Sequence, residues 1–326
     1  MKELPPRLAG LLYGYRASRI LLSAVELDLF SALKGGATAE KAARRIRAPH
    51  RGVDILLHAL AALGLVRKVG GKFVNTKDTR EFLAAGGGRD WRLGLGHHTG
   101  LWRSWSELTD VVKKGRPQLP RESSKRARKE TQAFIGLMHQ HGVVRAPRVA
   151  EALRLGGVQN VLDLGGGSGA YSVALARRKH GLRITLLDQP AVIPLAEKYV
   201  TAAGFRAGFT FRSGDMTRAD FGQGFDLVLL SSICHSFSPR RNQALLQKAY
   251  RALCSGGQLA IHDFILNRRR TGPMHAALFA VNMLVNTEGG NSYSADEYRD
   301  WLRAAGFRKI VFRRLEAPSD LIVAEK

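Results

Sequence analysis

The strongest constraint on the fold is Val161-Leu162-Asp163-Leu164-Gly165-Gly166-Gly167-Ser168-Gly169, an apolar run that meets an acid and then turns through glycines. Such a run reads as a buried strand entering a tight turn that opens a helix. Without Cβ atoms, the turn lets a ligand approach the backbone closely, beside the partly positive helix start. From residue 160 onward, strand and helix patterns alternate. Strands are predicted at 160–164, 183–187, 209–212, 225–230 and 257–263, with a last pair at 308–314 and 320–324. Helices fall at about 169–180, 190–203, 239–254, 274–285 and 295–305. This alternation predicts an α/β domain, a Rossmann-like parallel sheet with helices on both faces. Ser238-Pro239 makes a good helix start, and Ser294 with Glu297 has capping-box spacing.

The N-terminal part reads differently. Apolar positions at helical spacing from Leu8 to Val25 predict a helix over about 8–33. Thr38 can cap a short helix through Ile46, and a third helix runs from Gly52 to Leu63. Leu65 to Val69 and Lys72 to Val74 then read as a hairpin about Gly70-Gly71. Three helices and a hairpin are the order of a winged helix. In DNA-binding versions the third helix enters the major groove through polar, basic positions. Here that helix is almost wholly apolar, which predicts packing rather than base reading. The domain plan is a winged-helix-like part at 1–90, a helical linker at 91–150 with a helix over about 131–154, and the α/β domain at 151–326.

Charge enters at this point. Lys and Arg number 51 against 27 Asp and Glu, a net +24, of which +16 lies in residues 1–150. Such an excess can attract nucleic acid or an anionic membrane surface. The basic residues are mostly scattered, with one dense patch at 121–129. Nucleic acid is the less favoured partner, because no RNA-binding module and no Asn-Pro-Pro-Tyr-like motif after the fourth strand accompany the charge. No apolar run approaches the roughly 18 residues of a membrane span, and the N-terminus lacks a secretory apolar region. Cys234 and Cys254 provide no disulfide framework, so a cytoplasmic location is expected. The histidines lack spaced Cys, Asp or Glu partners, so no metal site is expected.

Three acids end three successive strands: Asp163, Asp188 and Asp215. In a parallel sheet these ends share one carboxyl edge, where ligands bind. Asp188 can accept two ribose hydroxyls. Asp215 can receive an adenine amino group while Met216 lies against the ring. The segments Asp163 to Gly169, Asp188-Gln189-Pro190 and Gly214-Asp215-Met216 resemble the S-adenosyl-L-methionine (SAM) site of class I methyltransferases. The resemblance implies cofactor contacts from Asp163, Gly165, Gly167, Asp188, Asp215 and Met216, with S-adenosyl-L-homocysteine as product. An acid before the glycines suits the cationic amino-acid end of that cofactor.

Ser231-Ser232-Ile233-Cys234-His235-Ser236-Phe237-Ser238-Pro239 is similar to the Lys-Trp-Ile-Cys-His-Asp-Trp-Ser-Asp segment of small-molecule O-methyltransferases, the caffeic acid and N-acetylserotonin enzymes among them. The likeness implies that His235 is a general base. A phenol, with a pKa near 10, is a poor nucleophile while protonated, and a neutral imidazole can take its proton. The family flanks that base with two carboxylates. One falls at Asp263, as Asp in place of Glu, and the other position holds Ser292. Ser231 stands where the family has a cofactor-contacting lysine. Phe134, Met138 and His141 match the family's Phe-x-x-x-Met-x-x-His stretch, and Phe279, Asn282 and Met283 lie one helical turn apart across the expected pocket. The N-terminal region is similar to the family's dimerisation domain, which implies a homodimer. Methyl transfer to a hydroxyl of a small aromatic acceptor is the leading expectation. C-methylation of a tetrapyrrole or another small molecule, an RNA acceptor, and SAM sensing without catalysis stand as its competitors.

Overall fold

The computed structural model describes residues 3–87, 89–117, 125–315 and 319–326, in two units, Met1–Trp102 and Arg103–Lys326. In the first unit, α1 (Pro6–Tyr13), α2 (Tyr15–Glu26) and α3 (Leu29–Ala32) replace the single helix expected over 8–33. The sharper break is at Asp28, whose φ of 51° is left-handed, a conformation that Asp tolerates better than most residues. Its carboxylate accepts hydrogen bonds from Ser31 and Arg92, which fix the turn. Helix α4 (Ala39–Ile46) is capped as expected, Thr38 Oγ1 accepting the Lys41 N–H at 3.3 Å. Helix α5 (His50–Ala62) buries Val53, Leu57 and Leu60, a stripe at i, i+4 and i+7.

Strands β1 (Val66–Val69) and β2 (Lys72–Asn75) pair antiparallel about Gly70 and Gly71, both at positive φ as a two-residue hairpin turn requires. Ala37 bridges Phe73 and closes the wing. The core under these elements holds Leu29, Phe30, Leu33, Leu57, Leu60 and Phe73. Helix α6 (Lys77–Phe82) follows, and the unit boundary falls inside α7 (Arg92–Ser106).

The second unit continues with α8 (Leu108–Lys114) and the long α9 (Lys125–Ala152), which begins upstream of the expected start at 131. The basic patch at 121–129 lies largely outside the described residues. Strands β3 (Asn160–Leu164), β4 (Arg183–Asp188), β5 (Phe209–Ser213), β6 (Phe225–Ser231) and β7 (Leu253–Asp263) alternate with α10 (Ala170–Arg178), α11 (Ile193–Ala202) and α12 (Pro239–Ala252). Strand β7 begins four residues earlier than predicted, because Leu253 already pairs with Phe225 before the register shifts. Strand β8 (Ile265–Leu266), α13 (Met274–Asn286), β9 (Tyr293–Ser294), α14 (Ala295–Ala304), β10 (Arg308–Arg313) and β11 (Asp320–Glu325) complete the chain.

The seven strands lie in the order β10-β11-β7-β6-β3-β4-β5, with β3 to β7 parallel and β11 antiparallel between β7 and β10. Alternate residues of each strand face opposite layers. Leu162, Leu164, Val228, Leu230, Leu259 and Ile261 pack on α12 and α14. Val161, Ile184, Leu227, Leu229 and Ala260 pack on α9 and α10. Both faces are therefore covered, which explains why these strands read as continuous apolar runs. The short β8–β9 pair ties the chain just after β7 to residues 293–294.

Candidate active site

Parallel pairing brings the ends of β3, β4, β5, β6 and β7 to one edge, and with them Asp163, Asp188, Asp215, Ser231, His235 and Asp263. Asp163, 1% exposed, accepts the Ser172 hydroxyl at 2.6 Å. Burial pushes its carboxyl up to about 7; the Ser172 bond opposes that shift and the nearby Asp188 charge adds to it. Asp188 is pinned to the glycine turn: Gly167 N–H donates to Oδ2 at 2.8 Å and Gln189 N–H to Oδ1 at 2.7 Å. Gly165 has φ +68°, and a Cβ there would sit 2.2 Å from Ile233 Cδ1 and 2.9 Å from Met216 Cε. The absent side chain lets the ends of β5 and β6 close on the turn. Asp215 is exposed, and the backbone and hydroxyl of Thr217 hold its carboxyl below the usual range.

His235 lies in a single 3₁₀ turn (Cys234–Ser236) just after β6. The turn is locked from three sides. Asn242 Nδ2 donates to Cys234 O at 2.9 Å, Asn291 N–H to His235 O at 2.8 Å, and Tyr293 Oη to Phe237 O at 2.5 Å. Just before it, Ser232 is held at φ +59° and donates its N–H to His262 O. Ser231 and His262 are paired in register, so Asp263 comes beside the turn.

Asp263 is fully buried and accepts four hydrogen bonds. His235 Nδ1 reaches Oδ1 at 2.6 Å and Phe264 N–H reaches it at 2.8 Å; His235 N–H and Tyr298 Oη each reach Oδ2 at 3.1 Å. Burial alone would raise this carboxyl. The charge and hydrogen bond of His235, with the Phe264 amide and Tyr298, outweigh it and hold the group below the ordinary range. A carboxylate only accepts, so Nδ1 carries a hydrogen, and in the neutral form of the ring Nε2 keeps its lone pair.

Ser231 has a different neighbour from the one expected of a cofactor-facing position. Its hydroxyl is 3.1 Å from His262 Nδ1, while Ser319 Oγ lies 2.6 Å from His262 Nε2. Burial pulls His262 down to about 4, so it is neutral. Ser292 Oγ, at the position without its carboxylate, is buried and has no hydrogen-bond partner among the described residues.

Of the acceptor-pocket candidates, Phe279 stands edge-on to His235 at 4.8 Å and 4.1 Å from the Phe264 ring. Asn282 Oδ1 accepts both Trp105 Nε1–H at 2.9 Å and Asn286 Nδ2–H at 3.1 Å, which turns its NH₂ into the end left to donate. Met283 is buried. Phe134, Met138 and His141 share one face of α9; Phe134 is 41% exposed and the other two are half-buried. Helix α9 meets the glycine turn through its residue His139, whose Nδ1 is 3.0 Å from Ser168 Oγ. Sequence reasoning overlooked Ser172, His262, Ser319, Tyr298 and the Trp105–Asn282 bond. For His262 the signal was present, since it is the strand neighbour of Asp263 and must face the opposite layer.

Against this geometry the comparisons with known proteins are decisive. The O-methyltransferase domain family matches residues 105–308, and the O-methyltransferase dimerisation domain family matches residues 9–85. The chain belongs to the O-methyltransferase family. It is a SAM-dependent O-methyltransferase and carries that family's dimerisation domain. The enzyme is 32% identical to 3-hydroxy-5-methyl-1-naphthoate 3-O-methyltransferase of Streptomyces sahachiroi, over 96% of this chain and 92% of the relative. It is also 32% identical to L-tyrosine C(3)-methyltransferase of Streptomyces lavendulae, over 98% and 92%. Human N-acetylserotonin methyltransferase in complex with SAM superposes with a TM-score of 0.87 at 27% identity, covering 100% of this chain and 99% of that one.

The residues present fit that cofactor. A nearly inaccessible Asp163 with one hydroxyl donor suits a cationic ligand end. The Cβ position of Gly167 meets nothing nearer than Ile135 Cδ1 at 3.9 Å, which leaves the turn open to close approach. Among the described residues, no group of three or more His, Cys, Asp or Glu is arranged to hold a metal ion, and no helix is long and apolar enough to cross a membrane.

Proposed function

We propose that this O-methyltransferase methylates a hydroxyl of a small aromatic acceptor, with His235 as general base and Asp263 as its orienting carboxylate. The observation that carries the reading is the 2.6 Å His235–Asp263 bond, buried at the same sheet edge as the glycine turn and faced by the Phe279 ring. SAM, when bound, supplies an electrophilic methyl group carried on a sulfonium. Asp163 offers its carboxylate to the cofactor's amino-acid end; Gly165 lets Ile233 and Met216 close on the turn, and Gly167 keeps the wall beside it bare. Asp188, aimed by two backbone N–H groups, has lone pairs left for ribose hydroxyls. Asp215 and Met216 stand at the adenine end.

His235 Nε2 takes the proton of the acceptor hydroxyl. The imidazolium that results is balanced by Asp263 at Nδ1, at a depth where an unpaired charge would be strongly unfavourable. Phe279 and Met283 supply apolar area for an aromatic ring, and the Asn282 NH₂ offers a donor to an acceptor oxygen. Phe134, Met138 and His141 complete the pocket from α9. The dimerisation domain supports a homodimer, and two free cysteines fit a reducing, cytoplasmic setting.

The test is transfer of labelled methyl from SAM to a panel of phenols, catechols, indoles, tetrapyrroles and total RNA, with His235→Ala alongside. Turnover with a phenol is expected to fall about 10²- to 10⁴-fold in the variant, the usual weight of general base catalysis. A loss of only a few-fold would sink the base assignment, and label in RNA would sink the acceptor class. The likeness to the tyrosine C(3)-methyltransferase favours one second reading. Deprotonating a phenol also activates its ortho carbon, so the same base serves C-methylation, and the position of the label in the product separates the two.

A further inference from the structure

Four donors on one buried carboxylate are more than orientation by His235 requires. Two are backbone N–H groups, from His235 and Phe264, and one is the imidazole. The fourth comes from another element: the Tyr298 hydroxyl on α14, 35 residues away in the chain and fully buried. Its position is rigid. The Ser294–Glu297 capping box fixes the first turn of α14. Tyr293 and Trp301 meet the Tyr298 ring edge-on, at 6.2 and 5.5 Å. Burial and the Asp263 charge push the phenol up, so it stays a donor at every working pH.

With Tyr298 Oη and His235 N–H both on Oδ2, the remaining oxygen is turned toward His235 Nδ1. We propose that Tyr298 is a positioning residue of the methyl-transfer site, whose hydroxyl sets the rotation of Asp263 and the charge it presents to His235. The inference rests on the reading of His235 as the base.

The sign of the pH effect follows from the neighbourhood of Asp263. His235 and Cys234 face it from the 3₁₀ turn, and Tyr298 and Tyr293 from the α14 side. His262, Tyr171 and Asp320 border it from β7, α10 and β11. Burial raises the thiol and the phenols, and it lowers His262. The proton that matters is the one shared between His235 Nδ1 and Asp263 Oδ1 across their 2.6 Å bond. Removing a donor from Asp263 concentrates its charge, which favours the proton-bound pair wherever the proton sits. The acidic limb of the kcat–pH profile must then move to higher pH.

Tyr298→Phe removes only the oxygen. The expected result is a drop in kcat of about 3- to 30-fold, KM for SAM and acceptor within about two-fold, and an acidic limb displaced upward. In an Asp263→Asn background the same change is expected to add nothing. Tyr298→3-fluorotyrosine, a stronger donor of nearly the same size, is expected to move the limb downward, which covers the case in which the Phe variant folds poorly. Binding of S-adenosyl-L-homocysteine by calorimetry checks that each variant is folded. Wild-type kcat and limb in folded Tyr298→Phe would overturn the proposal, as would an equal loss in the Asp263→Asn background or an unmoved limb with fluorotyrosine. The His235→Ala result tests the base assignment separately.

Discussion

At the scale of single residues, the site sets two buried carboxylates against each other. Asp263 has four donors and is held as an anion; Asp163 has one, from Ser172, and is pushed up to about 7. Desolvation acts on both, and the difference lies in the number of hydrogen bonds that reward the charged form. For Asp163 the fold prefers the protonated acid, whose unfolded value is near 3.8. Its contribution to stability is full below about pH 4 and is lost as pH rises through about 7. Asp163→Asn should therefore melt higher than wild type at pH 8 in the absence of cofactor, by an amount on the order of a few kcal/mol. The gain should vanish near pH 4. The same variant should bind S-adenosyl-L-homocysteine about 10- to 100-fold more weakly, because a charge-assisted bond is lost. Melting curves across pH and calorimetry check both halves; equal melting points at pH 8 would contradict the account of Asp163.

At the scale of elements, the chemistry depends on helices that never touch the reaction directly. Helix α14 brings Tyr298 to Asp263, and its first turn is held by Ser294 Oγ accepting the Glu297 N–H while Glu297 Oε2 accepts from Ser294 N–H at 2.8 Å. Ser294→Ala should cost about 1 kcal/mol, the usual value of a lost N-cap. In a protein of this size that is about 1–2 °C in melting temperature. Because the frayed turn lies four residues from Tyr298, kcat is expected to fall with it. Calorimetric melting and steady-state kinetics on one preparation check the pair of effects. A stability loss with unchanged kcat would show that the cap serves the helix alone.

For the whole molecule, two surface properties ask for a partner or an explanation. Helix α1 buries no residue of its own, and Leu8, Leu11, Leu12 and Tyr15 stay between 51% and 73% exposed along α1 and α2. A stripe of large apolar side chains left in water marks an association surface, in a segment that largely falls within the dimerisation domain match. Sedimentation is expected to report twice the mass of the chain. Leu8→Asp, Leu11→Asp and Leu12→Asp together should yield monomers with the core of the first unit intact. A wild-type monomer at micromolar concentration would refute the dimer. The net charge of +24 has no such localised counterpart among the described residues, where Arg and Lys are spread over many elements.

Much of this protein is readable without coordinates, and the physical reason is locality. Strand β3 falls on 160–164 as predicted because an apolar run bounded by a glycine turn has one good use in an α/β sheet. The caps at Thr38, Ser238 and Ser294 are bonds within three residues. The three acids and the His235–Asp263 pair follow from parallel strands sharing one edge. What tertiary structure alone decided is longer in range. The break at Asp28 depends on Arg92 and the β7 start on Phe225, while the rotation of Asp263 depends on Tyr298. Ser231 faces a neutral His262 because Ser319, 57 residues on, closes the other side of that ring. These outcomes turn on the direction of individual lone pairs between distant segments. Periodicity and spacing carry no information about such directions; packing sets them once the sheet has brought the segments together.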